Sequence, residues 1–392
     1  MRGIAVIGIA WMNVYAFALP LQAYYNPAAF GMESAMDRLV WLVSFVFIED
    51  KFRTLFAMLF GAGCLILLER DRGGEPDNHR HWRRHGARMA VLFAIGLVHS
   101  VLLANNDILR AYALAGLALP LLAGLSVSAL YAVAIGLVAV HVGGGMVHFG
   151  AGVLDFYAGR TGTDAAFYVA RNYGSDPAAI RYALDLGQEG FGERVARRAS
   201  GIPGQLTVIA SSIPLNCAAM ALGMALWRDR MLAGEWRTFR LQRFAAVSAI
   251  VAVPALLGIA LWVSAAGFPG ALVGPAALIV SAPFDMLLGF AYAMLIMAFL
   301  TPSDGEVPGP VTRVLASVGR LSLSNYLATS LIFAALFAGW GLGLFAQVTR
   351  AQAFALSFLP IAAMMIWSPV WASRFGQGPL ERLWRRAAAA LS

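Results

Sequence analysis

Apolar runs of about twenty residues recur along the whole chain, and they constrain the fold more than any other feature. A helix rises about 1.5 Å per residue and the hydrocarbon layer of a bilayer is roughly 30 Å thick, so each run can cross a membrane. The composition, 60% hydrophobic and 13% charged, is unlike that of a water-soluble domain. The runs do not alternate as the strands of a membrane barrel do. We therefore predict an all-α, polytopic membrane protein.

Ten transmembrane helices are predicted in a single integral membrane domain, 1–392. Five precede and five follow the one long polar segment, 151–203, which suggests two five-helix bundles and is itself predicted to form short helices. The predicted spans are 3–20, 38–68, 88–105, 108–124, 127–148, 204–227, 245–267, 273–300, 318–341 and 352–373.

Arginine clusters predict the orientation of these spans. The segments 69–88 and 228–244 and the C-terminal tail are rich in arginine, which is typical of cytoplasmic loops. We therefore predict a plasma (inner) membrane protein with both termini in the cytoplasm and 151–203 outside, although arginines near the end of 151–203 run against the rule. Because the rule accounts for the net charge of +8, we do not predict nucleic-acid binding.

Cysteine and histidine spacing predicts neither a disulfide nor a metal site. Cys64 and Cys217 each lie inside an apolar run, where a thiol behaves as a small hydrophobic group. His141 and His148 have no Asp, Glu or Cys at ligand spacing, and the other loop histidines lie among arginines.

Ionisable residues interrupt the second span. Glu49, Asp50, Lys51 and Arg53 follow one another there, and Asp285 lies within the eighth span. Each such side chain costs about 2.5–3.5 kcal/mol at the centre of a spanning helix, so it needs a partner, water or a function. The second span is either a long tilted helix or a segment that breaks before Lys51.

The third span carries a line of polar groups. His99 lies about eleven residues, roughly 16 Å, from the expected cytoplasmic edge, and Asn106 follows two helical turns later on the same face. A neutral His99 can accept a proton while Asp107 or Asn106 orients its ring. Alternatively, His99 bonds a neighbouring helix and 105–107 form a polar turn. Asn13, Ser324 and Asn325 could likewise be interhelical hydrogen-bonding groups.

Six ordered blocks of sequence resemble the YeiB family of bacterial membrane proteins. That family looks like a branch of the transmembrane acyltransferases, which include the lysosomal heparan-alpha-glucosaminide N-acetyltransferase. The resemblance implies an enzyme that takes an acyl group from cytoplasmic acetyl-CoA or another acyl-CoA and delivers it to an external acceptor such as an envelope sugar. Its relatives suggest a homodimer. The blocks are 2–13, 51–63, 96–99, 106–113, 319–327 and 377–385.

The first helix carries the most specific match to that superfamily. The lysosomal enzyme has an arginine in its first helix and an asparagine eleven residues later, and Arg2 and Asn13 match this pair. Its catalytic histidine has no counterpart here, because no histidine precedes His79. If the chain transfers acyl groups, His99 is the centrally buried histidine that could serve as the base.

These considerations give each candidate residue a predicted role. His99, Asp107 and Asn13 would be catalytic, with His99 and Asn13 facing one internal aqueous chamber. The predicted substrate contacts are Asn106, Asn325, Ser324, Arg110 and Arg53. The predicted ligands of the CoA phosphates are Arg83, Arg84, Arg88 and Arg2. A transporter that uses the same polar line, and a non-catalytic scaffold or sensor, are the alternatives.

Overall fold

The computed structural model describes residues 1–72, 78–105, 107–300 and 309–392. These residues form α-helices and one π-helix, and no strand occurs among them. The helices are α1 (Arg2–Ala18), α2 (Leu21–Tyr25), α3 (Ala35–Phe47), α4 (Lys51–Arg72), α5 (Asn78–Leu102), α6 (Ile108–Gly116), α7 (Leu119–Leu122), α8 (Val127–Tyr157), α9 (Asp164–Tyr173), α10 (Pro177–Gly187), α11 (Phe191–Ser200), α12 (Ile202–Arg228), α13 (Thr238–Ala265), α14 (Gly270–Pro275), the π-helix (Ala276–Val280), α15 (Ala282–Leu300), α16 (Pro310–Arg320), α17 (Ser322–Phe337), α18 (Arg350–Leu356), α19 (Phe358–Phe375) and α20 (Pro379–Ala390).

The prediction of a polytopic helical membrane protein is confirmed. Within the described part of the chain, 7 helical segments are long and apolar enough to cross a membrane, or 8 if the bent pair α16 and α17 forms one span. The two remaining predicted spans are shorter. Helix α1 has 17 residues, and the region predicted as 108–124 forms α6 and α7, of 9 and 4 residues.

Breaks interrupt several of the predicted spans. Residues 48–50 separate α3 from α4 just before Lys51, yet Ala35–Arg70 together form one span of 36 residues, so the structure combines both alternatives for the second span. Helices α16 and α17 meet at an angle of 83°. The segment 151–203 does form short helices, α9 to α11, although α8 continues to Tyr157 before them. Irregular backbone of this kind is stable in a membrane protein only where other protein groups or a cavity cover it.

The two halves of the chain are interleaved rather than packed as separate five-helix bundles. Helix α12, which follows the polar segment, packs against α4, α6 and α8. A Cβ at Gly61 would lie 2.2 Å from the carbonyl oxygen of Met220, and a Cβ at Gly223 would lie 1.9 Å from that of Met58. These two glycines therefore let α4 and α12 touch backbone to backbone within one subunit.

The basic segments gather at one end of the molecule. Arg228 forms an ion pair with Glu69 at 3.1 Å, which joins the two arginine-rich connections. Trp384 of α20 donates a hydrogen bond to the carbonyl of Arg88 at 2.9 Å, which brings the C-terminal helix to the same end. Arg2 and Arg385 line one cavity there, so the two ends of the chain lie close together. We call this end the basic face.

Candidate functional site

One face of α1 lines three neighbouring cavities in succession. Arg2, Val6, Ile9 and Asn13 follow one another at intervals of four, three and four residues, which places them on the same side of a helix. Arg2 and Asn13 are roughly 16 Å apart along the helix axis. The cavities therefore extend from the basic face towards the middle of the molecule.

The first of them, the basic cavity, opens among arginines at the basic face. Its volume is about 800 Å³, and helices α1, α4, α5 and α20 form its wall. Guanidinium groups gathered in this way are suited to bind phosphate oxygens. The arginines that line it are Arg2, Arg70, Arg84, Arg88 and Arg385.

An apolar middle cavity of about 90 Å³ follows the basic cavity. The two share Arg2, Phe60 and Trp384 as wall residues, so they are adjacent. Aromatic and aliphatic side chains dominate this wall, and the polar atoms are few. Such a wall suits an uncharged, extended chain better than a hydrated ion.

The third cavity, the chamber, is polar and has a volume of about 170 Å³. It shares Ile9 and Ile108 with the middle cavity and is therefore adjacent to it. Asn13 is a buried residue of its wall. The other polar and aromatic wall residues are Tyr24, Tyr25, Glu49, Asp50, Phe52 and Arg53.

The break between α3 and α4 supplies the charged groups of the chamber. Asp50 has a φ of 58°, a left-handed conformation that non-glycine residues adopt uncommonly and that aspartate tolerates better than most. Its carboxylate accepts from Arg53 at 2.9 Å. Tyr112, from the middle cavity, donates to the carbonyl oxygen of Arg53 at 2.8 Å and so fixes the start of α4.

A second ion pair lies behind this break. Lys51 contacts Asp285 at 2.6 Å, and both side chains are almost fully buried. The Lys51 ammonium also donates to the carbonyl of Phe45 at the end of α3. This pair therefore ties the broken span to α15, and it answers the need of Asp285 for a partner at membrane depth.

His99 and Asp107 form a buried pair. The Nδ1 of His99 lies 2.7 Å from Oδ2 of Asp107, and both side chains have an exposed fraction of 0%. A carboxylate can only accept, so Nδ1 of His99 is the donor to Asp107. Nε2 has no hydrogen-bond partner among the described residues. The ring of Tyr326, a wall residue of the middle cavity, lies 5.2 Å from that of His99.

Asp107 holds its position through α6 as well as through His99. It is the N-cap of α6 and accepts from the backbone N–H of Arg110 at 3.0 Å. Gly96 on α5 allows this approach, since a Cβ there would lie 2.5 Å from Oδ1 of Asp107. The predicted orientation of His99 by Asp107 is thus present in the structure.

The structure does not place His99 in the chamber with Asn13. The imidazole is fully covered and lines none of the three cavities. Helix α5 ends at Leu102, so the helical face expected to join His99 to Asn106 does not continue that far. Asn106 itself lies outside the described residues.

The predicted substrate contacts separate into two groups. Arg53 lines the chamber. Arg110 lines none of the three cavities and instead donates to Gln205 at 2.6 Å and to the carbonyl of Asn105 at 3.0 Å. Ser324 donates to Glu381 at 2.6 Å at the start of α17.

Asn325 braces the bend between α16 and α17. Its amide nitrogen donates to the carbonyl of Val318 at 3.0 Å, and its oxygen accepts from Trp367 at 2.8 Å. The side chain is fully buried and lines none of the three cavities. Asn325 therefore forms hydrogen bonds between helices, which was the alternative to its predicted role as a substrate contact.

Three of the four predicted phosphate ligands lie in the wall of the same cavity. Arg2, Arg84 and Arg88 line the basic cavity, whereas Arg83 is exposed outside it. No cluster of three or more metal-binding side chains occurs in the part of the chain that the structure describes.

Comparison with known proteins identifies the family. YeiB of Escherichia coli (strain K12), described as an uncharacterized protein, is 32% identical over 395 residues, covering 98% of the chain and 94% of YeiB. The chain belongs to the YeiB family. YxaH of Bacillus subtilis (strain 168), also described as uncharacterized, is 26% identical over 397 residues, covering 99% of the chain and 92% of YxaH. A family model described as a protein of unknown function, DUF418, matches residues 226–390. No solved structure matches the chain.

Five of the six blocks that resemble the YeiB family contribute to the cavity walls. The blocks 2–13, 51–63, 106–113, 319–327 and 377–385 each supply wall residues. The sixth, 96–99, ends at His99 behind the wall.

Sequence reasoning missed several wall residues of the site, among them Arg70, Arg385 and Glu49. Arg70 and Arg385 were read only as part of the basic loops and tail, although Arg385 ends the last of the six blocks. Glu49 was noted as an interruption of the second span and given no role. An acidic residue that follows an apolar run and precedes a break was the available signal for it.

Proposed function

We propose that the chain transfers an acyl group from acyl-CoA, bound at the basic face, to an acceptor in the chamber. The observation that carries this proposal is the single face of α1 that lines all three cavities, from Arg2 to Asn13. A donor with phosphates at one end and a thioester at the end of an extended arm fits a basic opening followed by an apolar passage and a polar chamber.

The basic cavity binds the donor in this proposal. Arginines hold the phosphates through charge-assisted hydrogen bonds, and Arg2 marks the entrance to the middle cavity. The apolar walls of the middle cavity surround the arm of CoA, with Phe60 and Trp384 at the boundary that both cavities share. If the basic face is cytoplasmic, as its arginines predict, the donor enters from the compartment that contains CoA.

The chamber is the site of transfer. The Asn13 amide N–H group donates to the oxyanion that forms when the acceptor attacks the thioester carbonyl. Arg53, Tyr24 and Tyr25 surround the acceptor, an envelope sugar or another molecule with a hydroxyl or amine. The His99 and Asp107 pair, which lies behind Tyr326, positions the wall of the passage in this proposal.

An assay of CoA release by purified protein in lipid nanodiscs tests whether the chain transfers acyl groups. Acetyl-CoA is added with and without an extract of envelope sugars, and released CoA thiol is measured. We expect CoA release that Asn13→Ala lowers by about 10²–10³-fold, as for other oxyanion donors, with CoA affinity unchanged. Protein that neither binds CoA nor consumes acetyl-CoA would contradict the proposal and favour the transporter.

A further inference from the structure

The charges at the break between α3 and α4 do not balance. The charged groups at this break are three carboxylates and two cations. The carboxylates are Glu49, Asp50 and Asp285, and the cations are Lys51 and Arg53. Lys51 pairs with Asp285 at 2.6 Å and Arg53 pairs with Asp50 at 2.9 Å. No ion pair within the described residues includes Glu49. One carboxylate is thus left without a cation in a buried region.

Arg350 is a further buried cation in this part of the fold, and its contacts are with other groups. Its guanidinium stacks on the ring of Tyr15, 4.5 Å from the centroid, and donates to the carbonyl of Ala23. Arg350 therefore holds α18 against α1 and α2, and it does not close an ion pair with Glu49.

Glu49, the residue with the unpaired carboxylate, lies in the wall of the chamber. Glu49 is a wall residue of the chamber together with Asn13, and only 8% of its surface is exposed. The neighbouring Asp50 has the left-handed backbone that turns the chain between α3 and α4. Unusual backbone conformations of this kind are concentrated at functional sites, because the surrounding structure must hold them.

We propose that Glu49 is the general base of the transfer, an inference that rests on the proposed function. Its carboxylate accepts the proton from the acceptor hydroxyl or amine as that oxygen or nitrogen bonds to the thioester carbonyl carbon. The carbon–sulfur bond breaks, and Glu49 returns the proton to the sulfur of CoA. Asn13 donates to the oxyanion between these two steps, and His99 touches no reacting atom.

Carbodiimide labelling tests the state of Glu49 without an activity assay. Dicyclohexylcarbodiimide reacts with a carboxyl group in apolar surroundings while that group carries a proton, a state through which a group that accepts and returns a proton must pass. We expect mass spectrometry of the labelled protein to find the adduct at Glu49 and not at the paired Asp50 or Asp285. The adduct disappears in Glu49→Gln. Labelling at Asp285 or Asp50 with Glu49 unmodified would overturn the charge assignment.

Turnover of Glu49 variants tests the catalytic role. We expect Glu49→Gln to bind CoA as the wild type does and to release CoA about 10²–10⁴-fold more slowly, the usual contribution of a general base. Glu49→Ala creates space for a small carboxylic acid, so added formate should restore part of its rate, and Asn13→Ala, which keeps Glu49, should not respond to formate. His99→Ala is measured alongside, because His99 is the other candidate for the general base.

The outcomes separate the two proposals. Active wild type with undiminished Glu49→Gln turnover overturns the role of Glu49 and leaves acyl transfer in place. If His99→Ala alone loses turnover and formate does not raise the rate of Glu49→Ala, His99 and not Glu49 is the general base. Wild-type protein that binds CoA but consumes no acyl-CoA overturns the proposed function and the role of Glu49 together.

Discussion

Asn13 follows Arg2 by eleven residues on one face of α1, so a single helix joins the basic cavity to the chamber. Because the helix is continuous from Arg2 to Ala18, the relative positions of the two residues are fixed by helical geometry. A donor bound at Arg2 and a reaction at Asn13 thus have a defined separation of roughly 16 Å along the axis.

Arg70 should contribute to CoA affinity, whereas Arg83 should not. Arg70 lines the basic cavity, and Arg83 is exposed outside it on the neighbouring helix. We expect Arg70→Ala to weaken CoA binding about tenfold at low salt, and less at high salt because ions screen the interaction. Isothermal titration of CoA into nanodiscs measures both affinities. Equal losses in the two variants would indicate a general effect of surface charge instead.

Asp107 should stabilise the fold in two separable ways. It caps α6 and accepts from His99. Asp107→Asn keeps a good capping side chain, so its loss of stability reports the bond to His99, and Asp107→Ala should lose about 1 kcal/mol more through the cap. Thermal unfolding in detergent compares the two variants. Identical midpoints for Asp107→Asn and Asp107→Ala would exclude the capping contribution.

Lys51 and Asp285 should stabilise the fold only when both are present. Both side chains are buried, so Lys51→Met leaves an isolated carboxylate and should cost about 3–5 kcal/mol. The double variant Lys51→Met with Asp285→Leu removes both charges and should recover most of that loss. Unfolding measurements on the two single variants and the double variant form a thermodynamic cycle. Additive losses would mean that the two residues stabilise the fold independently.

The sequence allowed the spans to be predicted because burial in lipid requires long apolar runs, such as the one in α13. It gave the break before Lys51 only as one of two alternatives, and it did not indicate the 83° bend between α16 and α17. Such breaks depend on contacts from distant elements, as where Asn325 meets Trp367 or where Lys51 meets Asp285. Tertiary contacts of this kind are absent from local patterns.

The candidate site was only partly predictable for the same reason. The pairing of His99 with Asp107 could be anticipated because the two residues are close in sequence. Their exclusion from the chamber could not, because α5 stops at Leu102 and the chain turns before α6. Glu49 reaches the chamber only because α3 ends beside α1, which is a property of packing and not of spacing.

Photocrosslinking tests the continuous passage from the basic cavity to the chamber most directly. An octanoyl-CoA analogue with a diazirine at the end of its acyl chain is bound to protein in nanodiscs, irradiated and mapped by mass spectrometry, with excess CoA as the competitor. We expect competable crosslinks at residues 8–16 of α1 and at 48–53, the wall of the chamber. Crosslinks confined to the basic cavity, or to the lipid-facing surfaces of α8 and α13, would contradict a passage that delivers the acyl group to Asn13.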